Sequence, residues 1–227
     1  PMQFYPIEHH SWVAIDIHHN LGEQATLLTH KIRLTHKAAS TNKAASAYKT
    51  GSMYCRQLLK KLQQALNLTG ELMDANFPYH FITADGYTWY VSFSHSRQHA
   101  AVLISPYTNI GVDVEDSAIS HHVASRFFSP HEYQWLNQKP AVNQAVLRNL
   151  LWRLKECAIK THQNADKQLI KELKHDVLDE LGEEVINQLI GIDEINDKGK
   201  PIQCVQTDAK IVGNFSSKPC SFIIVNR

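Results

Sequence analysis

With 227 residues, 43% of them hydrophobic, the chain can build one large domain or two of roughly 100 residues, and its composition excludes a disordered chain. No apolar run approaches the ~20 residues that span a bilayer, so no membrane partner is expected. The formal net charge of +1, from 23 basic and 22 acidic side chains, excludes a generally basic nucleic-acid binder.

The N-terminal residues lack a charged-then-apolar signal pattern, so a cytoplasmic protein is expected. Cys55, Cys157, Cys204 and Cys220 lie far apart with no Cys-x-x-Cys pair. That argues against a zinc site and for reduced thiols. The 14 histidines show no metal-ligand spacing. The pairs His9-His10, His18-His19 and His121-His122 read as exposed, since adjacent residues rarely face one site. Charge is unevenly spread. No acid occurs between Gln24 and Gly70, a span holding Lys31, Arg33, Lys37, Lys43, Lys49, Arg56, Lys60 and Lys61, whereas Glu172 to Asp197 is mostly acidic. The basic stretch suits a polyanionic ligand or, equally, a solvated helix face.

In chain order, Ser11–Ile17 reads as an opening strand and residues 24–40 as partly helical. Ala44–Leu68 carries apolar residues at helical spacing. Phe81–Thr83 and Thr88–Ser94 flank Asp85-Gly86, a tight-turn signal, and so predict a hairpin. His99–Ser105 follows, then Ile110-Gly111-Val112-Asp113-Val114-Glu115. In this hexapeptide Ile110, Val112 and Val114 alternate with Gly111, Asp113 and Glu115. A strand puts the two acids roughly 6–7 Å apart on one face, beside a glycine that clears space. Such a pair can hold a hard cation such as Mg²⁺, or it can be the solvated face of an edge strand.

Short links predict that the strands at 88–94, 99–105 and 110–115 form an antiparallel meander. Ser94-His95-Ser96-Arg97 would then share a rim with Asp113 and Glu115, suited to phosphate and metal. Asp113 is expected on that rim rather than in the core. A nucleophile–base role for His95 with its neighbouring serines is rejected, since adjacent strand residues seldom align and no Gly-x-Ser-x-Gly elbow is present.

Ser117–Ser120 reads as a linker between halves and Val123–Phe128 as helical. Ser129-Pro130-His131-Glu132 has the form of a helix start, which gives Glu132 a structural reading as a capping-box acid. Val146–His162 is the strongest helix signal. Its face of Trp152, Lys155, Glu156, Ile159 and Lys160 could complete a metal site and grip phosphates, or carry a Glu156–Lys160 surface pair. Lys167–Ile192 continues as charged amphipathic helix, and strands are expected at 202–206, 211–215 and 222–225.

Phe-Ser-His-Ser (93–96), Gly-Val-Asp-Val-Glu (111–115), Arg-Phe-Phe-Ser-x-x-Glu-Tyr (126–133) and Leu-Trp-x-x-Lys-Glu-x-x-x-Lys (151–160) occur in this order. Together they resemble the surfactin-type 4′-phosphopantetheinyl transferases. The resemblance implies an α+β fold, a pseudo-twofold pair of similar halves (1–116 and 117–227), each a small antiparallel sheet with a packed helix, and coenzyme A bound between them. It implies Mg²⁺-dependent transfer of the phosphopantetheine arm to a serine of an apo acyl or peptidyl carrier protein, with release of 3′,5′-ADP, by a monomer. The alternative is a non-catalytic module of the same fold that binds carrier proteins or nucleotides. By matching position, Asp113, Glu115 and Glu156 would be metal ligands. Ser94, His95, Lys155 and Lys160 would contact coenzyme A. Glu132, Glu156 and Lys160 would be catalytic, with Glu132 helping to deprotonate the acceptor serine. Lys37, Lys43 and Lys49 are candidates for the 3′-phosphate, and Lys49 is chosen among them.

Overall fold

The computed structural model describes residues 2–8, 10–17, 42–162, 175–190 and 201–226, with side chains in the first helix from residue 50 onward. The expected helix over 24–40, and Lys37 among its residues, lie outside these. The strands are β1 (Gln3–Ile7), β2 (Ser11–Ile17), β3 (His80–Ile82), β4 (Thr88–His95), β5 (His99–Ser105), β6 (Ile110–Val114), β7 (Ile202–Gln206), β8 (Lys210–Phe215) and β9 (Cys220–Val225). The helices are α1 (Asn42–Ala65), α2 (His121–Phe127), α3 (Pro130–Asn137), α4 (Ala141–Thr161), α5 (Val177–Leu181) and α6 (Glu183–Ile190).

Two antiparallel sheets result, one in the order β1-β2-β5-β4-β3 and one in the order β6-β9-β8-β7. Period-two alternation sorts their side chains into three layers of core. Ala14, Val91, Val102 and Ile104 meet Leu58, Leu59 and Leu62 of α1. Val13, Ile15, Ala101 and Leu103 turn the other way, onto Val112, Ile224 and Phe222 of the second sheet. The outer face of that sheet gives Val212 and Ile223 to Leu147, Leu151, Leu154 and Ala158 of α4. The fold is α+β, with one long helix outside each sheet, as expected of two similar halves. Asp85-Gly86 makes the predicted turn between β3 and β4, and Gly86 takes φ +87°, open to glycine at little cost.

The expected three-strand meander fails at its last strand. β4 and β5 pair with each other, but β6 pairs with β9 in the second sheet. The chain therefore crosses between sheets in the turn between Ser105 and Ile110. The alternation within 110–114 is real, yet neither face is solvated, because all five residues are buried. Ile110, Val112 and Val114 enter the core between the sheets. Gly111 meets α4 so closely that a Cβ there would lie 2.2 Å from the Cys157 carbonyl oxygen. Gly111→Ala is therefore expected to lower stability by about 1–3 kcal/mol through overpacking. An unchanged denaturant midpoint would show that α4 yields freely.

β6 is an edge strand, and its unpaired backbone finds partners on the neighbouring sheet and on α4. The amides of Val112 and Val114 donate to the hydroxyls of Ser92 and Ser94, each at 3.1 Å. The Val112 carbonyl accepts from Lys160 Nζ at 2.6 Å. Two serines at alternate positions of β4 thus stand in for a strand and cover the edge.

Candidate active site

That seam carries the polar centre of the molecule. Ser94 Oγ, besides accepting from Val114, donates to Asp113 Oδ1 at 2.9 Å. Lys160 Nζ lies 3.1 Å from the same oxygen. Asp113 is a buried residue, not the rim residue expected, with a relative exposure of 7%. The expected proximity of Ser94 and Asp113 holds by a different route. They face each other across two sheets instead of along one.

The hydroxyl of Ser94 has one proton, and Asp113 takes it. Ser94 therefore holds the Asp113 carboxylate in place. His95 is half-buried at the end of β4, with its ring against Gly51 of α1, where a Cβ would lie 2.5 Å from Nδ1. Burial, and then the Lys160 ammonium, push its pKa below the ordinary histidine value. The turn beyond it is fixed by Asp116, which the sequence reading did not single out. Asp116 accepts from the Ser96 hydroxyl, from the Gln98 and His99 amides and from the His99 ring. An acid directly after the carboxylate strand was the only signal for it.

Lys160 is buried enough to disfavour its charge, but the Asp113 carboxylate outweighs burial, with a contribution from Glu156, and its pKa stands above the ordinary lysine value. Its ammonium has three donors, and Val112 O and Asp113 Oδ1 are its two acceptors among the described residues. Arg153, one turn ahead of Glu156 on α4, was also missed. It is buried, donates to Ser221 Oγ at 3.1 Å and Asn214 Oδ1 at 3.2 Å, and feels the charges of Asp113 and Glu115. Glu115 accepts from the Ser117 amide at 2.8 Å.

The three expected metal ligands thus share one neighbourhood of charge. Their oxygens do not gather within 4.8 Å of one another, as two other groups among the described residues do. Three like charges gather only around a cation, and here they surround Lys160 and Arg153. As a donor set, three carboxylates suit a hard cation such as Mg²⁺.

Lys155 and Lys160 do not act on one face. Five residues at 3.6 per turn separate them by about 140°, so they leave α4 in different directions. Lys160 turns to β6, while Lys155 turns to α3 and α5. There Lys155 Nζ donates to Glu132 Oε1 at 3.0 Å, to Oε2 at 2.7 Å, and to the His175 carbonyl. In this arrangement all three of its protons are used, on Glu132 and the His175 carbonyl. Glu132 is fully buried. It closes the capping box with Ser129, accepting from the Ser129 amide at 2.8 Å, and also accepts from the Val177 amide at 2.8 Å. It is thus the capping-box acid that the sequence allowed, with no exposed oxygen in this arrangement. Lys43 and Lys49 lie on α1, but their side chains are outside the described residues.

Cys55, Cys157 and Cys220 are buried free thiols, and no described helix is long and apolar enough to cross a membrane. No curated protein matches this chain. Residues 109–199, less than half of the 227 but including β6, α3, α4, Asp113, Glu156 and Lys160, match the family model of the 4′-phosphopantetheinyl transferase superfamily.

Proposed function

We propose that the protein moves the 4′-phosphopantetheine arm of coenzyme A onto a serine of an apo acyl or peptidyl carrier protein, as a surfactin-type transferase. The observation that carries this reading is Lys160, part-exposed at 20%, held on Asp113 beside His95 with its third donor unmatched among the described residues. The family match, the order of the four motifs across 93–160 and the helix-covered pair of sheets support it.

Attack of a serine hydroxyl on the diphosphate of coenzyme A breaks a P–O bond and releases 3′,5′-ADP, so the site must neutralise charge rather than supply a nucleophile. Lys160 offers its remaining proton to a phosphate oxygen. His95, neutral at pH 7, donates a ring N–H to another. Ser94 fixes the Asp113 carboxylate. With Glu132 enclosed, Glu156 is the acid of the expected catalytic set left part-exposed to take the serine proton. Asp113, Glu115 and Glu156 would hold Mg²⁺, which when bound neutralises diphosphate charge. Reduced thiols fit a cytoplasmic setting.

Intact mass spectrometry of several apo carrier proteins, incubated with the protein, coenzyme A and Mg²⁺, tests this directly. One added arm per carrier is expected. Coenzyme A bound with no carrier gaining mass would favour the non-catalytic alternative. His95 gives a second check. Its NMR titration midpoint in the free protein is expected below 6.5 and should rise when coenzyme A phosphate binds. A midpoint at or above 6.5 in the free protein, or no change with coenzyme A, removes His95 from the site.

A further inference from the structure

On the far side of α4 a second cluster plays no part in that chemistry. His162 caps the C-terminus of α4, His175 precedes α5, and Glu180 lies on α5. Each offers one ligand atom, and the three atoms lie within 4.8 Å of one another. His162 Nε2 is 3.3 Å from Glu180 Oε1 and 3.4 Å from Oε2. His175 Nε2 hydrogen-bonds Oε2, and the two imidazoles stand edge to face with centroids 5.5 Å apart.

We propose that His162, His175 and Glu180 form a binding site for a borderline divalent cation of the zinc class. Zinc binds imidazole nitrogen and carboxylate oxygen at about 2.0–2.2 Å, so tetrahedral neighbours stand about 3.3–3.5 Å apart, the spacing His162 already keeps from Glu180. Two imidazoles and one carboxylate select zinc-class ions over Mg²⁺, which takes oxygen.

The site is built rather than merely crowded. Glu180 is only 10% exposed as a side chain, and hydrogen bonds from His175 and Lys210 outweigh burial and hold its pKa down at about 2. It is therefore an ionised ligand at every physiological pH. Lys210 Nζ, 2.6 Å from Oε1, orients the carboxylate from β8 as an outer partner. The backbone of His175 is tied by its carbonyl to Lys155, and through it to Glu132. Binding requires both imidazoles neutral with the proton on Nδ1, so His175 must shift or release the Nε2 proton it now gives to Glu180. The ion would join the end of α4 to α5. The other three-residue group, His131, Asp176 and Asp179, is more exposed and richer in acid, and Asp176 is already committed to the Ser129 hydroxyl.

The test is a zinc titration of the full chain, stripped by chelator and held in excess Mg²⁺, against a chromophoric zinc chelator. One equivalent is expected to bind tightly at pH 7.5. His162→Ala and His175→Ala should each weaken binding by at least about 10–100-fold, the loss that even an outer ligand partner costs. Zinc should raise the melting midpoint of the wild type and not that of the variants. Unchanged zinc affinity in His162→Ala, whose side chain is 44% exposed and whose loss should spare the fold, would overturn the proposal and point to Cys204 or the N-terminal histidines. So would a wild type that takes up no zinc. If His175→Ala fails to fold, His162→Ala alone decides. None of these readouts depends on carrier loading, so the two proposals stand or fall separately.

Discussion

Asp113→Asn is expected to slow carrier loading about 10²–10³-fold, the loss that follows removal of one preorganised charge-stabilising group. Asparagine keeps the shape of the side chain and an oxygen for Ser94 and Lys160, so the fold should hold. Alanine would be a poorer test. Asp113 is buried, and its loss would leave the Lys160 ammonium with only the Val112 carbonyl among the described residues. Rates of mass gain on a carrier protein, with a melting curve as control, measure the effect. Wild-type loading by Asp113→Asn would take Asp113 out of the chemistry and leave it a structural partner of Ser94 and Lys160.

Glu132→Ala is expected to cost about 3–5 kcal/mol of stability, because it strands a buried Lys155 charge. It also orphans the amides of Ser129 and Val177. Against a domain stability of about 5–15 kcal/mol, this approaches unfolding. Guanidinium denaturation reads it directly. Replacing both partners, Glu132→Met with Lys155→Met, should recover much of the loss, because breaking a buried pair costs more than removing it whole. A Glu132→Ala protein with a normal midpoint and a low loading rate would instead return Glu132 to catalysis.

The sequence carried the local structure well, because local structure follows from short-range causes. The apolar, β-branched run in SWVAIDI set β2, Asp85-Gly86 set a hairpin, and Ser129-Pro130-His131-Glu132 set a capped helix start with its capping box intact. The apolar stripe from Leu147 to Ala158 set α4. β1 escaped notice because Pro6 and its short length blur the alternation. Three of the four motifs, at 111–115, 126–133 and 151–160, also fall in the region that matches the transferase superfamily.

Where these elements meet depended on pairings between residues far apart in the chain. Alternation told Asp113 from Val112 but not which sheet β6 would join. Its edge amides find Ser92 and Ser94 only because one sheet lies on the other. Helical periodicity placed Lys155 and Lys160 near each other in sequence, and only packing showed that one is locked to Glu132 while the other stands at Asp113. Histidine spacing likewise argued against a metal centre. His162 and His175 face Glu180 because the chain returns to the end of α4 before it enters α5. The sequence by itself determined which stretches are strand, helix and turn and which side chains could do chemistry, because these follow from short-range periodicity and capping. The tertiary structure decided which side chains are partners, since hydrogen bonds and ion pairs are settled by distances that only long-range packing sets.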